Sequence, residues 1–273
     1  EGGEGISAEA IAMVRMVGAA VFFQAAVFSS RRLGVLPRGE LAGLGTVGHA
    51  KLAGLAVLGV TLNQALFLAG LRESTPFVVS LLGATIPVLT AALAILFRKE
   101  VFSWRTGAGL VLAFSGVLWL IGLGSAAHLD RGAMLVALNC LSYAAYVVFS
   151  RNVVLEVGSL RFMAWVFTYG VLLFAPLGGL PLLAQIPDLT PRGWLLLGYI
   201  VLVPTIVAYG LNAWALARST ASMVTIYIYL QPLIAAVLAR IQLGHAVSSR
   251  AGVAALLILG GVGVSTARRR STA

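Results

Sequence analysis

Tyr143, Tyr169, Tyr209 and Tyr227 carry phenols deep inside long apolar runs, and Asn63, Gln64, Asn139, Asn212 and Gln231 carry amides there. Ser80, Thr85 and Thr225 add hydroxyls to the same runs. A buried phenol or amide needs a hydrogen-bond partner, which is either another helix or a bound molecule. As interhelical glue such contacts are worth ~0.6 kcal/mol each. As a set, these uncharged donors and acceptors suit the amino and carboxyl groups of a small zwitterion, and Trp165, one turn before Tyr169, offers an aromatic wall. The candidate binding residues are therefore Asn63, Ser80, Thr85, Asn139, Tyr143, Trp165, Tyr169, Tyr209, Asn212, Tyr227 and Gln231. No catalytic residue, metal site or cofactor is expected: His49, His128 and His245 are scattered without carboxylates at ligand spacing, and Cys140 is the single cysteine.

The elements that hold these groups must be membrane helices. Hydrophobic residues make up 60% of the 273-residue chain and charged residues 10%, with a mean hydropathy of +0.98. Soluble domains carry roughly 25% charged residues, so this chain cannot cover a water-facing surface. The net charge of +10 lies between apolar runs and builds no basic face for nucleic acid. A hydrocarbon core of ~30 Å takes about 20 helical residues. Runs at about 8–29, 46–70, 76–97, 104–124, 131–150, 160–184, 192–217, 220–240 and 249–267 qualify, which makes nine spans. The first run follows an acidic stretch and has no cleavage pattern, so it reads as a span and not as a signal peptide. The stretch TIYIY (225–229) alternates like a strand, but an open strand edge cannot survive in lipid, so helix is expected there too.

Basic residues set the orientation. Arg31, Arg32, Arg38, Lys51, Arg98, Lys99, Arg105, Arg151, Arg161, Arg218, Arg268, Arg269 and Arg270 fall on one side. Arg72, Arg131, Arg192, Arg240 and Arg250 fall on the other. Thirteen against five places the first set and the C-terminus in the cytoplasm. All nine acidic residues lie in loops or at helix ends. Without a carboxylate in mid-span for a proton to ride on, the expectation is movement down a solute's own gradient. Arg15, about two turns inside the outer end of its run, either snorkels outward or attracts a carboxylate. His49 is expected at the cytoplasmic interface, with Trp104, Tyr146, Trp194 and Tyr199 as interfacial anchors.

An offset of 145 residues superposes the two halves: Ser74-Thr75 on Ser219-Thr220, Pro87 on Pro232, Gly107 on Gly252 and Gly116 on Gly261. The paired segments run in opposite directions by the charge count, so 1–125 and 126–273 read as inverted repeats. Such repeats meet near the midplane in secondary transporters. Pro87 and Pro232 are paired helix breakers, each depriving the carbonyl four residues earlier of its donor, those of Gly83 and Ile228. They either kink a packed helix or bend one that lines and gates a path. The Gly-rich runs 104–124 and 249–267 predict close helix packing as a buttress, or a homodimer surface.

The segments ALFLAGLRESTPFVVSLLGATIPVLTAALAILFRKEVFSWRTGAGLVLAFSGVLWL and YGLNAWALARSTASMVTIYIYLQPLIAAVLARIQLGHAVSSRAGVAALLILGGVGV resemble the two repeats of EamA-type members of the drug/metabolite transporter superfamily. Glu100 stands at the family's loop glutamate, where the second half has His245; Arg15 and Arg161 stand where its repeats commonly carry an arginine. The resemblance implies an all-α polytopic membrane protein, an inverted-repeat bundle with ten helices, of which nine are visible and the N-terminal one is missing from this sequence. It also implies a secondary transporter, not an enzyme, working by alternating access in a bacterial inner membrane. Small neutral metabolites, above all amino acids as in YddG-like exporters, are the expected solutes. Phosphorylated or nucleotide-sugar solutes and drugs are the alternatives in transport, and a scaffold or receptor role is the alternative outside it.

Overall fold

A chain in hydrocarbon must satisfy its backbone hydrogen bonds internally, and this one does so with helices. The computed structural model describes residues 6–34, 45–121, 131–234, 237 and 249–266. Arg38, His128, Arg240, His245, Arg268, Arg269, Arg270 and the C-terminal ends of the runs 104–124, 220–240 and 249–267 lie outside the described residues.

In chain order the helices are α1 (Ala8–Arg32), α2 (Thr46–Glu73), α3 (Pro76–Gly83), α4 (Ile86–Leu96), α5 (Trp104–Ile121), α6 (Arg131–Val157), α7 (Ser159–Gln185), α8 (Pro191–Leu216), α9 (Ala221–Ile234) and α10 (Ser249–Thr266). No strand occurs among the described residues. There, six stretches are long and apolar enough to cross a membrane: α1, α2, the α3–α4 pair, α6, α7 and α8. Shorter apolar helices occupy α5, α9 and α10. The fold is that of an all-α polytopic membrane protein. TIYIY is helical as expected, in an unusual form: Ile226–Leu230 winds as a 3₁₀ segment.

The chain forms two compact units, and each draws on both halves of the sequence. One comprises residues 1–68 and 149–218, the other 69–148 and 219–273.

In the first unit α1 packs along α7. Small residues permit close approach: Val201 of α8 fills the space beside Gly18, and Val60 of α2 the space beside Gly170. Gly158, at φ +81°, makes the one-residue turn from α6 into α7, a backbone conformation that favours glycine. Ser7 caps α1 through Ala10 N–H, and its own N–H donates to Gln185 Oε1 at 2.7 Å. Inside α2, Val57–Thr61 widens into a π-helical segment; inside α8, Leu202–Val207 does the same. These segments begin 145 residues apart, the offset of the sequence repeat.

In the second unit α5 and α10 lie against each other. Gly116 faces Leu257 and Ile258, and Gly261 faces the backbone of Gly109 and Ala113. The repeat-related glycines thus serve the same packing, while Val111, Trp119, Leu256 and Leu259 point outward. The core beside this pair holds Ala84, Ala91, Ile226 and Tyr229. Thr75 and Thr220, also 145 residues apart, cap α3 and α9 through the N–H groups of Val78 and Met223. Glu100 Oε1 accepts a further bond from Ser222 N–H at 3.1 Å, so the loop glutamate of the first half caps the proline-containing helix of the second.

Candidate functional site

The polar groups of the first unit gather around α7. Tyr169 Oη lies 2.9 Å from His49 Nδ1. Trp165 stacks on Tyr169 with ring centroids 5.8 Å apart, and His49 meets the Trp165 face edge-on at 4.8 Å. Trp165 and Tyr169 thus come together as one aromatic wall, and His49, in the first turn of α2, joins it. Between Trp165 and Tyr169 in sequence, and so on another face of α7, Phe167 stacks with Phe23 and meets Tyr209 edge-on at 5.2 Å.

Tyr209 borders a small cavity of about 10 Å³ shared with Arg15, Gln64 and Thr205. Its construction starts at Pro204. Lacking an N–H, Pro204 leaves the Ile200 carbonyl without its helical donor. The neighbouring Thr205 hydroxyl supplies that bond at 2.9 Å, and Ala208 N–H reaches Val203 O in the wider π pattern. Thr205 is buried, and its oxygen in turn accepts from Arg15 Nε at 2.9 Å. Arg15 is therefore held inward on α8. Of its two sequence readings, the snorkelling one does not describe this arrangement. Thr205 and Pro204 escaped the sequence reading, although a proline four residues after Ile200 with a hydroxyl beside it is a legible signal. The π segment of α2 has no proline behind it, and the sequence offers no comparable sign.

Asn63 and Asn212 are half-buried on α2 and α8. The remaining predicted residues belong to the second unit. There the helix breaks at Ala84-Thr85, just before Pro87, which is buried in the first turn of α4. The Leu82 carbonyl at the break accepts from Thr85 N–H at 2.9 Å, from Thr85 Oγ1 at 2.6 Å and from Cys140 Sγ at 3.4 Å. Thr85 thus spends its hydroxyl on closing the break. Ser80 is exposed one turn earlier. Asn139 is buried on α6 and Tyr143 half-buried one turn on, its ring 6.0 Å from that of Tyr146.

Near Pro232 the 3₁₀ winding lets Gln231 N–H donate to Ile228 O, the carbonyl that the proline leaves without its α-helical donor. Tyr229 turns into the core at 1% exposure, whereas Tyr227 stays 51% exposed and Gln231 is exposed beside it. Thr225 is buried and bonds back to Ala221 O and Ser222 O. Among the expected anchors, Trp104, Trp194 and Tyr199 are exposed, but Tyr146 is buried at 2% exposure. It lies on the inward face of α6, between the buried Cys140 and Val153, which does not fit an interfacial anchor. Among the described residues, no three His, Cys, Asp or Glu side chains cluster as a metal site.

Residues 2–122 and 130–267 each match the EamA-like transporter family. The chain is 26% identical to the "Uncharacterized transporter YdfC" of Bacillus subtilis over 264 residues, spanning 95% of this chain and 82% of that protein. It is 24% identical to an "Uncharacterized transporter" of Archaeoglobus fulgidus over 218 residues, 78% of this chain and 75% of the relative. An "Uncharacterized inner membrane transporter YedA" of Escherichia coli is 25% identical over 158 residues, 57% of this chain and 50% of that protein. A solved structure titled "Crystal structure of protein" shares the fold at a TM-score of 0.76 and 19% identity, covering 97% of this chain and 90% of that one.

Proposed function

The chain belongs to the EamA-like transporter family and is a multi-pass membrane transporter; from that premise we propose that it carries small neutral metabolites, amino acids above all, out of the cell by uncoupled alternating access. The observation that carries the reading is the Trp165–Tyr169–His49 wall with Arg15, Thr205 and Tyr209 farther along the same unit. These groups offer hydroxyl, imidazole and aromatic surfaces and one guanidinium. A zwitterion with an apolar side chain asks for that mixture: donors for its carboxylate, acceptors for its ammonium and a flat surface for its side chain.

Absence of ion coupling rests on the carboxylates. Among the described residues these are Glu9, Glu73, Glu100, Glu156 and Asp188, which stand in the first turn of α1, at the ends of α2 and α6, and in loops. A proton-coupled carrier generally holds an ionisable carboxylate within the bilayer. The symmetric helix irregularities at Pro87 and Pro232 supply the bends about which a gate would move, and Ser80, Tyr227 and Gln231 beside them the groups that line it. The placement is a bacterial inner membrane with the C-terminus in the cytoplasm.

Uptake of labelled amino acids into liposomes holding the purified protein tests this. Saturable uptake of neutral amino acids that only equilibrates, with or without a pH gradient, is the expected result. Accumulation driven by a pH gradient would refute the uncoupled mechanism. Transport of phosphorylated solutes in place of amino acids would refute the solute class.

A further inference from the structure

Arg15 stands seven residues after Ala8, the first residue of α1, or about 10 Å along the helix, and is half-buried there. A guanidinium stays protonated at any physiological pH, and a charge within an apolar span is costly unless something answers it. Among the described residues, the one hydrogen bond of Arg15 runs from Nε to Thr205 Oγ1. That oxygen is neutral and spends its own proton on Ile200 O. No carboxylate lines the cavity that Arg15 shares with Gln64, Thr205 and Tyr209. The charge is held in position without being neutralised, and its terminal N–H groups are unspent.

Two further polar groups converge on the same space from other helices, Gln64 from α2 and Tyr209 from α8. Among the described residues neither the Gln64 amide nor the Tyr209 hydroxyl makes a hydrogen bond. Both can donate, as the guanidinium does. The cavity of about 10 Å³ is about one water-sized sphere, which is also the size of one carboxylate oxygen. Val60 and Phe167 complete the lining with apolar surface. Toward an ammonium group the cavity offers neutral oxygens alone, and the fixed guanidinium repels it at close range.

We propose that Arg15, oriented by Thr205 and assisted by Gln64, recognises the carboxylate of the solute, so that the carrier requires a carboxylate and not an ammonium group. Guanidinium N–H groups form the stronger, charge-assisted bonds with carboxylate oxygens. The solute class then widens from neutral amino acids to apolar monocarboxylate anions that lack the amine. This inference rests on the amino-acid reading of the same unit and narrows it to one subsite.

The test uses the full chain, with ligand-dependent thermal unfolding in a neutral detergent as the binding readout and flux into liposomes beside it. The probes are L-phenylalanine, 3-phenylpropanoate (no ammonium), 2-phenylethylamine (no carboxylate) and phenylalanine amide. The first two should stabilise the protein and be carried, and the last two should do neither. Arg15→Gln should weaken binding of both carboxylates at least tenfold, about 1.4 kcal/mol, and Gln64→Leu about fivefold. Gln64 bonds to nothing among the described residues, so Gln64→Leu folds whether or not Arg15→Gln does. Carriage of 3-phenylpropanoate without phenylalanine would support the carboxylate site and overturn the amino-acid reading. Carriage of phenylalanine with equal affinity for its amide, or with affinity unchanged in every variant that folds, would overturn the site and leave that reading standing. Binding of none of the four probes overturns both.

Discussion

Replacing Gly261 by alanine should weaken the second unit, by an amount that the geometry of α5 and α10 sets. A Cβ at this position would lie 2.6 Å from Gly109 O and 2.6 Å from Ala113 N, both backbone atoms that no rotamer change can move. Carbon–oxygen contacts settle near 3.3 Å, so α10 must shift by about 0.7 Å. A gap of that size forfeits about a quarter to a half of each dispersion contact along the helix pair, and overpacking of this kind costs ~1–3 kcal/mol. Alanine offsets part of this through helix propensity, up to ~1 kcal/mol. The net loss is about 1–2 kcal/mol, and at ~2–4 °C per kcal/mol the unfolding midpoint falls by about 2–8 °C. Gly263, two residues on, has open space where its Cβ would stand, so Gly263→Ala should be neutral or slightly stabilising. Thermal unfolding of both variants in one detergent decides the matter. A Gly261→Ala midpoint equal to that of Gly263→Ala would refute the packing argument.

Three further outcomes follow from the contacts described. Thr205→Val should cost ~1–3 kcal/mol, since it strips the Ile200 carbonyl of its donor and Arg15 Nε of its acceptor; Thr205→Ser should retain most of the stability, and chemical denaturation of the pair distinguishes the hydroxyl from packing. Glu100→Ala should lower stability by ~0.5–2 kcal/mol through loss of the bond to Ser222 N–H, with Glu100→Gln falling between it and the parent in the same unfolding assay. Tyr169→Phe removes the hydroxyl that meets His49 and leaves the Trp165 stack in place; unfolding should lose at most ~1 kcal/mol, the worth of that one bond, while flux assays in liposomes should show a KM for neutral amino acids raised about fivefold, as loss of one ~1 kcal/mol hydrogen bond to the solute implies. An unaltered KM would remove Tyr169 from the solute path.

Several features were legible in the residues alone because they are local. Helix starts at Thr75 and Thr220 follow from a threonine hydroxyl ahead of an apolar run. Close packing at Gly116 and Gly261 follows from small residues at repeat-related sites. The helical state of TIYIY follows from the cost of an unpaired strand in lipid. The chain's apolar character dictates all-helical spans.

Which side chains meet was decided only in three dimensions, because it depends on the rotation of each helix about its axis. A 3₁₀ segment turns 120° per residue where an α-helix turns 100°. Over Ile226–Leu230 the difference amounts to about 100°; the core received Tyr229 and left Tyr227 outside it. The π segments of α2 and α8 each slip the helical register, and no periodicity in the sequence reports the one at Val57–Thr61. The pairings of His49 with Tyr169 and of Arg15 with Thr205 depend on how each helix is turned toward its neighbour. Residue type determined that these groups would need partners; tertiary packing chose which ones.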